Sequence, residues 1–210
     1  MNLKNSALLI IDMQYDFMEN GSLEVAQANQ LIDPINQLMQ LDWGLIVASQ
    51  DWHPENHISF AENHSNKSPF ETITLKDGAI QTLWPTHCVQ NSHGAEIHDK
   101  IAISKTNQIV KKGQNTAVDS YSAFFDNNHQ IKTDLDAILK NNQIKETYIV
   151  GLAADYCVKF TAIDSAFLGY TTNIILDATK FIDPTIKVEY QNELNCHKIN
   201  FISSKTLFNT

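Results

Sequence analysis

The chain alternates two kinds of segment. Short, nearly continuous apolar runs occur at residues 7–11, 45–48, 109–110, 148–150, 173–176 and 199–202. Runs this short, rich in Ile and Val and without polar alternation, suit strands buried on both faces of a parallel sheet. Between them lie longer stretches whose apolar positions recur three and four residues apart. Leu31, Ile35, Leu38 and Met39 form one stripe, and Leu135, Ile138 and Leu139 a second. A third joins Val158, Ala162, Ser165 and Ala166 with Phe160, Ile163 and Phe167, apolar enough to predict a well-buried helix. A weaker fourth, through Ile186, Glu189, Tyr190 and Leu194, opens on Asp183-Pro184, an N-cap residue followed by Pro at the first helical position.

Strand–helix alternation predicts an α/β fold: a doubly wound, mainly parallel sheet of about six strands with helices on both faces and right-handed crossovers. The 210 residues suit a single domain, 1–210, and no repeat, low-complexity tract or linker divides them. In such sheets the ligand site lies beyond the carboxyl ends of the strands. The unusual residues fall there. Asp12 ends the first run, Asp51 follows the second, Lys112 the third, and Cys157 comes just after the fourth. The segment 51–107 has no clear period, is too long for an ordinary connection, and holds six of the eight histidines. Loops of that length are commonly functional.

Composition narrows the partners. A formal net charge of -9 argues against a nucleic-acid backbone or an anionic membrane. No apolar run approaches the roughly 18 residues that span a bilayer. The start, Met1 to Ser6, leads straight into a strand-length run with no small-residue cleavage site, so it does not read as a signal peptide. Cys88, Cys157 and Cys196 are odd in number and widely spaced. Free thiols in a reducing cytoplasm are the simpler reading than a disulfide framework.

Two constellations carry chemistry. Cys157 follows a strand and precedes a helical stripe, which places it in the first turn of a helix, where free N–H groups favour a thiolate and can cradle an oxyanion. Taken alone it reads more readily as a buried structural cysteine. Asp12 either caps a turn or faces the strand-end cleft, and Lys112 is either solvated or functional. Together the three supply a nucleophile, a proton acceptor and a cation that holds the acceptor charged. The second constellation is Asp51-Trp-His53-Pro-Glu-Asn-His57, with Trp84-Pro-Thr-His87 able to bring back another imidazole. A carboxylate with imidazoles suits Zn²⁺, Fe²⁺ or Mn²⁺; the alternative is a polar loop with solvated histidines. His64, His93, His98 and His129 read as surface residues.

With these segments in view the chain resembles the nicotinamidases, within the isochorismatase-like cysteine hydrolases. The matching stretches are Leu9 to Phe17, Ser49 to Phe60, Leu83 to Gln90, Lys112 to Phe124 and Val150 to Val158, in family order and across nearly the whole chain. The resemblance implies a catalytic triad of Asp12, Lys112 and Cys157, and an oxyanion hole from the N–H groups of Ala153 and Cys157 beside a cis Leu152–Ala153 peptide. It implies one divalent metal, zinc first with iron or manganese as alternatives, on Asp51, His53 and His87, with His57 a further ligand or a support. Phe17, Trp84, Tyr121 and Leu152 would contact substrate. The implied reaction is hydrolysis of nicotinamide to nicotinic acid and ammonia through a thioester, with pyrazinamide a second substrate and pyridine-nucleotide salvage the setting. The implied protein is a monomer or homo-oligomer without nucleic-acid or membrane partners. The alternatives are a related amidohydrolase of another small amide and an inactive metal-binding relative. Three departures bear on the pocket and rate: Ala154 where many members have Thr, Tyr15 for a common Asn, and Glu19-Asn20 for a common Pro-Gly.

Overall fold

All six apolar runs become strands of one parallel sheet in the computed structural model, which describes residues 2–208. Met1, Asn209 and Thr210, the ends of the expected domain, lie outside the described residues. In chain order the elements are β1 (Ser6–Ile11), α1 (Ile32–Leu38), β2 (Leu45–Asp51), β3 (Thr72–Thr74), β4 (Ile80–Thr82), β5 (Gln108–Lys112), α2 (Leu135–Asn141), β6 (Glu146–Gly151), α3 (Lys159–Phe167), β7 (Thr171–Thr179), α4 (Lys187–Cys196), β8 (Asn200–Ile202) and α5 (Lys205–Phe208). The sheet order is β5-β2-β1-β6-β7-β8. Winding therefore runs outward in one direction from β1 and in the other from β6. The crevice beyond their carboxyl ends is the switch point where doubly wound sheets bind ligands.

Each central strand divides its side chains between two cores. In β1, Leu8 and Ile10 pack with Ile35 and Leu38 of α1 and Leu207 of α5. Ala7, Leu9 and Ile11 pack on the other face with Leu135 and Leu139 of α2, Ala162 of α3 and Leu194 of α4. Every residue of β1 and β2 is buried, which is why their sequences read as unbroken apolar runs. The expected start of the fourth helix is borne out. The Asp183 carboxylate accepts the Thr185 N–H (2.9 Å), and a 3₁₀ turn over Pro184–Ile186 leads into α4.

Three features differ from the expectation. The long segment is not structureless, since it carries the antiparallel hairpin β3–β4. Its strands are three residues long with exposed positions, too short to leave a period. Phe167 does not join the buried stripe. It is 77% exposed, because Val158, Ala162 and Ser165 already fill the face of α3 against the sheet. Cys157 lies one turn earlier than an α-helical first turn, in a π-helical turn, Ala154–Val158, that precedes α3.

Candidate active site

Three strand ends converge on one buried ammonium. Asp12 follows β1 in a left-handed conformation (φ 46°), Asp51 ends β2, and Lys112 ends β5 directly opposite Asp51 in the strand register. Lys112, 2% exposed, donates to Asp51 Oδ1 (2.9 Å), to the Ser120 carbonyl (2.9 Å) and to Cys157 Sγ (3.4 Å). Its Nζ also lies 3.0 Å from Asp12 Oδ2. The Ser49 hydroxyl donates to the other oxygen, Asp12 Oδ1, at 2.6 Å. The expected triad is thus brought together. Asp12 lies beside both the Lys112 ammonium and the Cys157 thiol, placed to take the thiol proton.

The electrostatics correct one expectation. Burial pushes the Cys157 thiol well above its ordinary range; Lys112 pulls it down, but Asp12 and Asp51 push it up again. The resting cysteine is therefore a thiol, not a partly formed thiolate. Burial also raises Asp12, against the pull of Lys112. Lys112 itself is held well above its usual range, because Asp12 and Asp51 outweigh the effect of burial.

The Leu152–Ala153 peptide is cis, as the resemblance implies. Among the described residues no acceptor takes the Ala153 N–H. Leu152 is completely buried and does not line the cleft. The cleft is lined by Phe17, Trp84, Tyr121, Ala153 and Cys157, together with Asp51, His53 and His87. Trp84 donates to the Tyr121 hydroxyl (3.4 Å) and meets Tyr156 edge-on at 4.7 Å.

Asp51, His53 and His87 bring ligand atoms within 4.8 Å of one another. The Nδ1–H of His53 donates to the Gly113 carbonyl (2.9 Å), and that of His87 to the Pro85 carbonyl (2.8 Å). Both Nε2 atoms then face Asp51 Oδ2, at 3.2 and 3.8 Å. Backbone acceptors on the outer nitrogen commonly orient metal-binding imidazoles in this way. Burial and the charge of His53 hold His87 down to about 4, a neutral ring ready to be a ligand. Asp51 stays well below the usual carboxylate range, since His53 and Lys112 overcome its burial. His57 is set apart. It groups with His53 and Asp119, its Nδ1 meets the Ser59 hydroxyl at 2.7 Å, and its buried Nε2 has no partner among the described residues.

The residue reading missed Leu23, Asp119, Tyr156 and Ile182, which also line the cleft. Asp119 stood inside a matching stretch but lacks the strand-end position that marked the others. Ile182 looks like any apolar residue ahead of a helix. Of the three departures, Tyr15 is not a lining residue; its ring sits against His93 (4.1 Å) and His98 (4.7 Å).

Comparison with known proteins shows the family. Residues 6–194 match the isochorismatase domain. A curated nicotinamidase of Acinetobacter baylyi is 43% identical over 204 residues, covering 97% of this chain and 94% of that protein. A yeast nicotinamidase solved with the inhibitor nicotinaldehyde superposes with a TM-score of 0.90 at 42% identity, covering 94% of this chain and 99% of that one. A pyrazinamidase of Pyrococcus horikoshii in complex with zinc gives 0.75 at 33% identity, covering 95% and 99%. On the extent of these matches, the chain belongs to the isochorismatase-domain family, within its nicotinamidase branch.

Proposed function

We propose that the protein is a nicotinamidase, hydrolysing nicotinamide to nicotinic acid and ammonia through a thioester on Cys157, with residues 1–210 acting as one hydrolase domain. The observation that carries the reading is the buried Asp12–Lys112–Cys157 cluster opening into an aromatic cleft that also holds Asp51, His53 and His87. The substrate follows from the nicotinamidase relatives.

In this mechanism Phe17, Trp84 and Tyr121 hold the flat ring. Cys157 Sγ attacks the carboxamide carbon as its proton passes to Asp12, the carboxylate paired with Lys112. The Ala153 and Cys157 N–H groups receive the oxyanion. When the tetrahedral species collapses, the C–N bond breaks and Asp12 returns the proton to the departing ammonia. Asp12 then takes a proton from the water that attacks the thioester, and the thiol re-forms as nicotinic acid leaves. Lys112 stays protonated throughout and compensates the charge on Asp12.

Two buried imidazoles and a carboxylate oxygen form a donor set that fits a divalent cation, His53 giving up on binding the Nε2 proton that Asp51 otherwise holds on it. Asp51, His53 and His87 would hold such an ion, which would supply a Lewis acid for the ring nitrogen. Zinc is the metal proposed, because a related pyrazinamidase binds it, with iron or manganese as alternatives. His57 supports this centre through its contact with the His53 ring (4.1 Å). Three free cysteines favour a reducing cytoplasm, and the product places the reaction in pyridine-nucleotide salvage.

The test is ammonia release from nicotinamide, and from pyrazinamide, by protein of known metal content before and after chelation. Turnover that falls with chelation and returns with zinc supports the reading. Metal-loaded protein that releases no ammonia above background rejects it.

A further inference from the structure

The loop between β7 and α4 is stitched to the nucleophile turn along its length. The Thr179 hydroxyl donates to the Gly151 carbonyl (2.6 Å), and the Ala154 N–H donates to the Lys180 carbonyl (2.7 Å). The last two stitches come from a single side chain. Asp155, 4% exposed, accepts the Ile182 N–H on Oδ1 (3.0 Å) and the Asp183 N–H on Oδ2 (2.9 Å). A carboxylate offers two acceptors and no donor, so it matches two adjacent N–H groups as no other side chain of its size does.

Ile182, at the tip of that stitch, faces the cleft that ends on Cys157. It packs against the core cluster that contains Phe17, Leu23 and Trp84. It also lines a neighbouring surface groove with Phe70 and Ile186, and Trp84 and Tyr156 are likewise shared between the groove and the cleft. Ile182 therefore stands on the boundary between the groove and the cleft. Its side chain can reach that place only while its backbone is held.

We propose that Asp155 is a positioning residue whose carboxylate fixes Ile182 at the edge of the cleft, and that Ile182 determines how large a ring the cleft admits. The favoured substrates are then carboxamides of a single unsubstituted six-membered aromatic ring. This rests on the nicotinamidase reading and deepens it. Asp155 acts on ring binding, and the chemistry at Cys157 proceeds without it.

The experiment measures kcat and KM for nicotinamide and for 5-methylnicotinamide in wild type, Asp155→Asn, Ile182→Ala and the double variant. Asn cannot accept from both N–H groups. We expect Asp155→Asn to raise KM for nicotinamide about tenfold with kcat within about threefold, the size of effect one apolar contact in a pocket commands. Ile182→Ala should shift the ratio of kcat/KM values toward the methylated ring by about tenfold or more. Because one residue acts through the other, the double variant should be no worse than the worse single variant. Additive losses, or a fall in kcat at unchanged KM in Asp155→Asn, would overturn the proposal. Should Asp155→Asn fail to fold, an unchanged ring preference in Ile182→Ala overturns it alone. Absence of nicotinamide turnover by wild type strikes the functional reading instead. Ring selectivity is then read from calorimetric binding of the two amides, where equal responses of wild type and Ile182→Ala again overturn it.

Discussion

Lys112 holds a charge with almost no water around it, and its neighbours decide what that charge does. Deleting it in Lys112→Met keeps the stem but removes the group that pulls Asp12 down against burial. Asp12 then keeps its proton to higher pH, so the acidic limb of kcat/KM should move upward and kcat should fall by about two to four orders of magnitude. Profiles from pH 5 to 9 check this; an unshifted limb at near-normal rate would make the lysine a bystander. Lys112→Arg should not restore the rate, since a planar fork cannot occupy a pocket built around a compact ammonium. Cys157→Ala should cost at least about a thousandfold while substrate still binds. Cys88→Ser and Cys196→Ser should stay active, and a tenth of normal activity in Cys157→Ala would remove it from its role. These residues were legible because a charge or thiol at the end of an apolar run is conspicuous. The protonation state of Cys157 was not, because it depends on burial and on Asp51, a carboxylate the sequence assigned to another constellation.

The elements that position the site do so by close approach of backbone. Gly113 follows β5 at φ +68°, and a Cβ there would collide with the His53 ring whose Nδ1–H its carbonyl accepts. Gly113→Ala therefore meets an unfavourable conformation and a blocked space at once. We expect metal content by mass spectrometry to fall at least about tenfold, as for loss of a partner that orients a ligand; full occupancy would show that the ring can retreat without cost. The main sheet was readable because strands buried on both faces leave apolar runs. The hairpin β3–β4 and the short α5 were not, since each is too brief to show a period. The π-helical turn was hidden because its five residues have the composition of an ordinary helix start.

Across the whole molecule, buried histidines make stability depend on pH in two senses: His53, raised by Asp51, loses its contribution as pH rises, while His57 and His87 do the reverse. Burial and the charge of His53 hold His57 and His87 at about 4 in the metal-free fold, whereas in the unfolded chain such rings titrate near 6.5. The unfolded chain thus binds more protons between those values. The stabilisation is complete above about 6.5 and is lost as pH falls toward 4, by at most roughly 3 kcal/mol per ring. Urea midpoints of chelated protein at pH 7.5 and 4.5 measure it, and equal midpoints would contradict it. The register pair Asp51–Lys112 has a consequence for chain topology as well. Its partners are 61 positions apart yet adjacent in the sheet, so the intervening excursion is a loop whose ends are already clamped. Lengthening such a loop costs only about 0.6 kcal/mol of chain entropy per doubling. Gly78, at the hairpin tip with φ +88° and open space around it, is the place to extend it. A short Gly/Ser insertion there should leave both melting temperature and turnover nearly unchanged, so the chain can vary this excursion in length while the two strand ends beneath hold their alignment.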